Sequence, residues 1–192
     1  MALARSVTLL LVSGSLRAGS TNSAVLRSAA ELVPEDVEAV IYDGLGDLPH
    51  FNPDDDAEGH PVHGAVAAMR RELVAADALL ICTPEYAGAL PGALKNMLEW
   101  TIGDAGTYNK PVAWINAAGP AAPSGAADAH DSLRKVLGFA GAEVVDKACR
   151  RLPITRQALS LDGRIADPEA CRAIRGMLEA LAAHVRGRQA AE

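Results

Sequence analysis

Several features that would settle a function quickly are missing from this chain. There is no basic excess: 18 Lys and Arg stand against 24 Asp and Glu, a formal net charge of -6, whereas a nucleic-acid partner demands a basic face to neutralise its phosphates. Nucleic acid is therefore set aside. No apolar run approaches the ~20 residues of a membrane span. Met1 to Val12 carries one arginine and an apolar run of six, too short for the core of a secretory signal and without its small-residue cleavage site. The three cysteines, Cys82, Cys149 and Cys171, are odd in number, widely spaced and never in a Cys-x-x-Cys pair, so neither a disulfide framework nor a thiolate metal site is expected. A soluble protein of the reducing cytoplasm, with no membrane partner, is the expectation.

Two phosphate-binding signatures also fail, and how they fail is informative. Gly14, four residues, Gly19, Ser20, Thr21 nearly satisfies the Walker A pattern, but Ser20 stands where that motif needs the lysine that reaches the outer phosphates. A triphosphate requires that lysine and a magnesium ion. The dinucleotide fingerprint Gly-x-Gly-x-x-Gly is absent as well, which argues against a pyrophosphate crossing. A phosphate monoester remains, held by hydroxyls, backbone amides and one guanidinium.

What is present is an alternation of strands and helices. Val7 to Val12 is a nearly unbroken apolar run, as in a strand covered on both faces, and the apolar residues from Ala24 to Val33 recur at helical spacing until Pro34. Val37 to Tyr42 reads as an edge strand turned by Asp43-Gly44, and the Gly-, Pro-, Asp- and His-rich stretch from Asp43 to Pro61 as a functional or interface loop. A helix over Val62 to Ala75 and a buried strand over Asp77 to Cys82 follow, then a helix opened by Pro91 and running to about Ile102. Pro111 to Ala117 and Glu143 to Ala148 are the fourth and fifth strands, with a helix from Ala126 to Phe139 between them; Cys171 to Val185 closes the chain as a helix and Arg186 to Glu192 is expected to fray.

With 192 residues, 49% of them hydrophobic, the chain suffices for one sizeable core, and residues 1–192 are taken as a single domain. Five alternations with short connections predict an α/β, doubly wound parallel sheet with helices on both faces. Ligands of such folds bind beyond the carboxyl ends of the strands. The loops 13–22, 83–90 and 117–125 should therefore converge on one crevice.

The first of these loops, Gly14-Ser15-Leu16-Arg17-Ala18-Gly19-Ser20-Thr21-Asn22, gathers hydroxyls, an arginine and glycine-freed amides between a strand and a helix start, where unpaired N–H groups favour an anion. Capping alone would explain Ser, Thr and Asn here. Arg17 is what a cap does not need.

That block, together with Pro84-Glu85-Tyr86-Ala87-Gly88-Ala89-Leu90-Pro91-Gly92-Ala93-Leu94-Lys95-Asn96 and the intervening Asp47-Leu48-Pro49-His50-Phe51-Asn52, resembles the NADPH-dependent FMN reductase family of flavodoxin-like proteins over nearly the whole chain. The resemblance implies a flavodoxin-like five-stranded sheet of order 2-1-3-4-5, FMN as cofactor, and NADPH or NADH as cosubstrate. FMN would accept hydride and, by a ping-pong mechanism, reduce a small-molecule acceptor such as a flavin, quinone or azo compound. It places the FMN phosphate on Ser15, Arg17, Ser20 and Asn22, with Thr21 nearby, and the ring against Pro84, Glu85, Tyr86, Ala87 and Gly88, with Ala118 and Gly119 in the third loop. It also implies a homodimer or homotetramer. No side-chain nucleophile is expected, because the cofactor carries the chemistry. The alternatives are an FMN electron carrier without nicotinamide activity, and an α/β binding module without flavin.

Two positions depart from the family pattern: Ala87, where relatives commonly carry Asn, and the loop Ala117 to Gly125, stiffened by Pro120 and Pro123. Other candidates have plainer readings. His60-x-x-His63 beside Asp54, Asp55 and Asp56 is a solvated loop and no metal is predicted. Cys82 is core packing; His130 and Asp131 lie on a solvated helix face; Arg150 and Arg151 are surface charges. Glu85 and Tyr86 are either proton donors or binding and dimer-contact residues. Lys95, Asn96, Glu99 and Trp100 stand on a helix that forms a subunit interface in relatives, with Trp100 as a candidate anchor against plain amphipathic packing.

Overall fold

The computed structural model describes residues 6–120 and 122–191. Met1–Arg5, at the head of the N-terminal reading, Ala121 of the third loop and Glu192 of the expected frayed tail lie outside the described residues. In chain order the elements are β1 (Val7–Ser13), α1 (Thr21–Glu31), β2 (Val37–Tyr42), α2 (Gly64–Ala75), β3 (Ala78–Cys82), α3 (Gly92–Glu99), β4 (Pro111–Asn116), α4 (Ala127–Phe139), β5 (Glu143–Val144), β6 (Arg150–Arg151) and α5 (Pro168–Gln189).

Every pairing in the main sheet is parallel and the strand order is β2-β1-β3-β4-β5, the expected doubly wound arrangement, with β2 at an edge. The period-2 alternation of β1 divides the core. Leu9 and Leu11 face α1 and α5, while Leu10 and Val12 face α2, α3 and α4. Both faces are covered, which is why β1 and β3 read as nearly continuous apolar runs; each fully buried Leu or Ile contributes about 1.5–3 kcal/mol.

The fifth strand differs from its sequence pattern. Only Glu143 and Val144 pair with β4; the chain then makes a 3-10 turn over Asp146–Ala148, and Arg150–Arg151 rejoin β4 beside Ile115 and Asn116. The polar pair Asp146-Lys147 turns outward while Ala148 is buried against α5, so the run bulges instead of continuing straight. Arg150 and Arg151 are exposed as expected, but their backbone belongs to the sheet. Beyond them Leu152 N–H donates to Asn116 O at 2.8 Å and Ile154 N–H to Ala117 O at 3.3 Å, extending the ladder to the upper rim.

α5 also exceeds its expected span. Asp167 caps it, accepting from the N–H groups of Glu169 and Ala170, and Pro168 occupies the first position, where its missing N–H costs nothing. Instead of fraying after Val185 the helix continues to Gln189. Arg186 pairs with Asp36, and Arg188 with Glu143 at 2.6 Å, tying the last turns to the sheet.

Candidate functional site

The three loops at the carboxyl ends of β1, β3 and β4 meet. Thr21 and Asn22 at the start of α1, Pro84 and Glu85 after β3, and Ala117, Ala118, Gly119, Ala122, Pro123, Ser124 and Ala126 after β4 line one groove of about 280 Å³, with Ile154 at its end. Two short contacts fix the roots of these loops. Cys82 Sγ–H donates to Asn22 Oδ1 at 3.2 Å, and the Ser15 and Tyr86 hydroxyls lie 3.3 Å apart. Cys82 is fully buried, and burial pushes its thiol above the usual range, so it packs and bonds without forming a thiolate.

Ser20 is the N-cap of α1: its backbone is extended and its Oγ accepts from Asn22 N–H at 3.2 Å. The first intrahelical bond is Ala24 N–H to Ser20 O, which leaves the N–H groups of Thr21 and Ser23 without an acceptor among the described residues. Ser15 Oγ accepts from Arg17 N–H at 3.3 Å, and the exposed Arg17 guanidinium has no partner among the described residues. Capping and an open donor set thus coexist: Ser20 satisfies one amide, and two amides and a guanidinium remain for an anion.

The loop after β3 closes on itself as a hairpin. Tyr86 N–H donates to Ala89 O at 3.0 Å and Ala89 N–H to Tyr86 O at 3.2 Å, around Ala87 at φ 52° and Gly88 at φ 72°. Two central residues with positive φ make a type I′ turn, whose preferred pair is Asn-Gly because Asn tolerates the left-handed region better than Ala. An Asn at position 87, which the family resemblance led one to expect, would suit this backbone conformation, and Ala87 holds the turn with some strain.

Glu85, on the limb of this loop that leaves β3, reaches across to the third loop. Its Oε1 accepts from Ser124 Oγ–H at 2.6 Å and its Oε2 from Ala129 N–H at 3.2 Å. The hydrogen bond from Ser124, followed by those from the first-turn amides of α4, holds the carboxyl below its ordinary range. Asn116 shapes the same loop from below, donating to Gly125 O at 2.8 Å and accepting from Ala118 N–H at 3.0 Å.

Of the residues singled out in the sequence, Thr21, Asn22, Pro84, Glu85, Ala118 and Gly119 line the groove. Ser15 and Arg17 open instead onto an adjoining depression of about 480 Å³ shared with Arg27, Tyr42 and Asp43. Ser20 lies beneath the loop, only 3% exposed, and Tyr86, Ala87 and Gly88 form the hairpin tip beyond the groove wall. Ile154 and Ser124 were missed; the former is delivered by the irregular ladder after β6, which leaves no periodic signal.

Two expectations are corrected. His130 is not on a solvated face: it is 8% exposed against Trp114, neither ring nitrogen has a partner among the described residues, and burial lowers its pKa to about 4 against the pull of Asp131 and Glu85. Trp100 is no interface anchor. It is 1% exposed, stands edge-on to Phe51 and donates from Nε1 to Pro49 O at 2.9 Å. The stretch from Asp43 to Pro61 is anchored to its own fold, with Asn96 accepting from Phe51 N–H and donating to Pro49 O and Arg70 pairing with Asp56, while Asp54, Asp55 and His60 are exposed. His63 caps α2 through Nδ1, at 3.3 Å from Ala65 N. Among the described residues no group of three or more His, Cys, Asp or Glu is placed to hold a metal ion, and no helix is long and apolar enough to cross a membrane.

The donor set fits a phosphate monoester attached to a flat, largely apolar ring. The free amide and hydroxyl of Thr21 stand in the groove, the free amide of Ser23 lies in the depression shared with Ser15 and Arg17, and small residues with one proline on each side form the groove's walls. Residues 7–152 match the family model described as NADPH-dependent FMN reductase. An NAD(P)H-dependent FMN reductase of Pseudomonas aeruginosa is 36% identical over 182 residues, covering 94% of this chain and 96% of the relative. A quinone reductase of Escherichia coli is 34% identical over 144 residues, 73% of each chain. Among solved structures, a flavoenzyme NAD(P)H:(acceptor) oxidoreductase from Paracoccus denitrificans superposes with a TM-score of 0.80 at 26% identity, covering 94% of this chain and 98% of that one.

Proposed function

The chain belongs to the NADPH-dependent FMN reductase family and is an oxidoreductase that works with FMN and a reduced nicotinamide nucleotide, and from that premise we propose how its residues divide the task. Ser15, Arg17, Ser20, Thr21 and Asn22 hold the FMN phosphate, through the open amides of α1 and the Arg17 guanidinium, which has no partner among the described residues. Pro84 and Glu85 form one wall for the ring, with the Tyr86-Ala87-Gly88 hairpin tip reaching past it, and Ala118 and Gly119 form the other. Bound FMN supplies hydride acceptance and electron transfer, chemistry that no side chain in the groove offers. The protein's part is to orient the ring, exclude water from its buried face and leave the other face open.

Nicotinamide and acceptor take turns at the same opening, which makes turnover ping-pong. Quinones and free flavins are the acceptors this reading favours, since curated relatives are named for both. Residues 1–192 act as one flavodoxin-like domain, in the cytoplasm and as a homodimer or homotetramer. The observation that carries the reading is the meeting of the open N-terminus of α1 with Pro84-Glu85 and Ala117-Gly119 in one groove.

The test is anaerobic mixing of the FMN-loaded protein with NADPH or NADH. Rapid loss of the flavin absorbance near 450 nm, followed by reoxidation with a quinone or free FMN, is expected. A flavin that stays oxidised until a separate reductase is added would identify an electron carrier instead.

A further inference from the structure

We propose that Glu85 is a positioning residue: its carboxylate fastens the loop after β3 to the N-terminus of α4 and so sets the distance between the two walls of the flavin groove. The need for it lies in the way α4 begins. Gly125 and Ala126 are both in the left-handed region, at φ 61° and 60°, and Ala126 at the N-cap position has no side chain able to cap. An extended Ser, Thr, Asp or Asn normally performs that task from within the same turn.

Glu85 performs it from 44 residues away. Oε2 takes Ala129 N–H, the donor an N-cap side chain would reach, while Oε1 takes Ser124 Oγ–H; that same oxygen of Ser124 accepts from Ala126 N–H at 3.1 Å. One anion therefore organises the first turn of α4 and the loop leading into it, where the helix dipole also favours a negative charge.

The attachment joins the groove's own walls, because Pro84 and Glu85 line one side and Ser124 and Ala126 the other. The hairpin beyond Glu85 does not depend on it, being closed by the mutual bonds of Tyr86 and Ala89. Glu85 thus leaves the fold of its own loop alone and fixes where that loop stands relative to its neighbour. The consequence is an effect on flavin affinity by a side chain whose two acceptor oxygens are both spent on protein donors.

This inference rests on the flavin reading above, and the test separates the two. Flavin-free protein is titrated with FMN, following quenching of flavin fluorescence, for the wild type and for Glu85→Ala, Glu85→Gln, Ser124→Ala and the Glu85→Ala/Ser124→Ala pair. The visible circular dichroism of each loaded protein and amide exchange at Asp128 and Ala129 are recorded alongside. Glu85→Ala is expected to raise the FMN Kd about tenfold, change the flavin dichroism and accelerate exchange at both amides. Glu85→Gln, which keeps an acceptor for Ala129, should recover most of the affinity, and the pair should bind no worse than Glu85→Ala alone. Faster exchange with FMN Kd and dichroism unchanged would overturn the proposal, leaving Glu85 a helix cap only. Should Glu85→Ala fail to fold, Ser124→Ala carries the test: about threefold weaker binding supports the inference and unchanged binding overturns it. A wild-type protein that binds no FMN would overturn the flavin reading itself.

Discussion

Gly14 and Thr83 approach so closely that a Cβ on Gly14 would lie 2.1 Å from Thr83 Oγ1 and 2.7 Å from its Cβ. Gly14 N–H also donates to Cys82 O at 2.9 Å, so the loops after β1 and β3 are joined where they leave the sheet. Gly14→Ala must push the buried Thr83 aside. It is expected to cost about 1–3 kcal/mol, the usual penalty of overpacking, read as a lower urea midpoint at unchanged slope. FMN affinity should fall with it, because both loops shift; a midpoint equal to wild type would show that Thr83 yields freely.

Arg17 has no intramolecular partner among the described residues, so its loss should leave the flavin-free fold untouched. Arg17→Ala is expected to weaken FMN binding roughly 10- to 100-fold, the value of one charge-assisted phosphate contact, without moving the thermal midpoint of the flavin-free protein. Arg17→Lys should fall between, since lysine keeps the charge and loses the fork. Equal FMN affinity in all three proteins would place the phosphate elsewhere.

Ala87 holds φ at 52° in a type I′ turn. Ala87→Gly and Ala87→Asn relieve that conformation and are each expected to stabilise the protein, by up to about 1 kcal/mol for Gly. Calorimetry of the flavin-free protein checks this. A drop in midpoint for both would mean that the Ala87 methyl contributes packing that outweighs the backbone.

His130 gives a pH dependence with a definite sign. Its pKa is lowered from 6.5 to about 4 by burial, so the unfolded chain takes up a proton before the folded one does. Its effect on stability is absent above about pH 6.5, grows unfavourable as pH falls toward 4 and then levels, reaching about 3 kcal/mol. Glu85 behaves separately: its depressed pKa means that its stabilisation is lost only below the ordinary carboxylate range. His130→Leu should therefore flatten the decline in thermal midpoint between pH 6.5 and 4.5 and raise the midpoint at pH 5. Parallel wild-type and variant profiles would refute burial of a neutral ring.

The alternation of strand and helix, the edge position of β2 and the convergence of three loops were legible because they follow from periodicity, from Pro and Gly punctuation and from the chirality of parallel crossovers. Capping was legible in kind but not in place: Ser, Thr and Asn before α1 read alike as candidate caps, and Ser20 is the one that caps. Residues whose meaning lies across the fold were not legible. His130 looks like any polar residue on a helix until Trp114 and the sheet cover it, and Trp100 looks like an interface anchor until Pro49 and Phe51 occupy its edges.

By itself, then, the amino-acid order determined the doubly wound sheet and the capped, donor-rich start of α1, since both rest on interactions within about one turn or one strand and on local backbone freedom. Tertiary structure alone decided that Glu85 belongs to the start of α4, that Ile154 reaches the groove, and that Ala87 carries a left-handed turn. Hydrogen bonds between residues 39 and 44 positions apart leave no periodic trace in the chain. They exist only because the parallel crossovers return the loops after β3 and β4 to the same rim of the sheet.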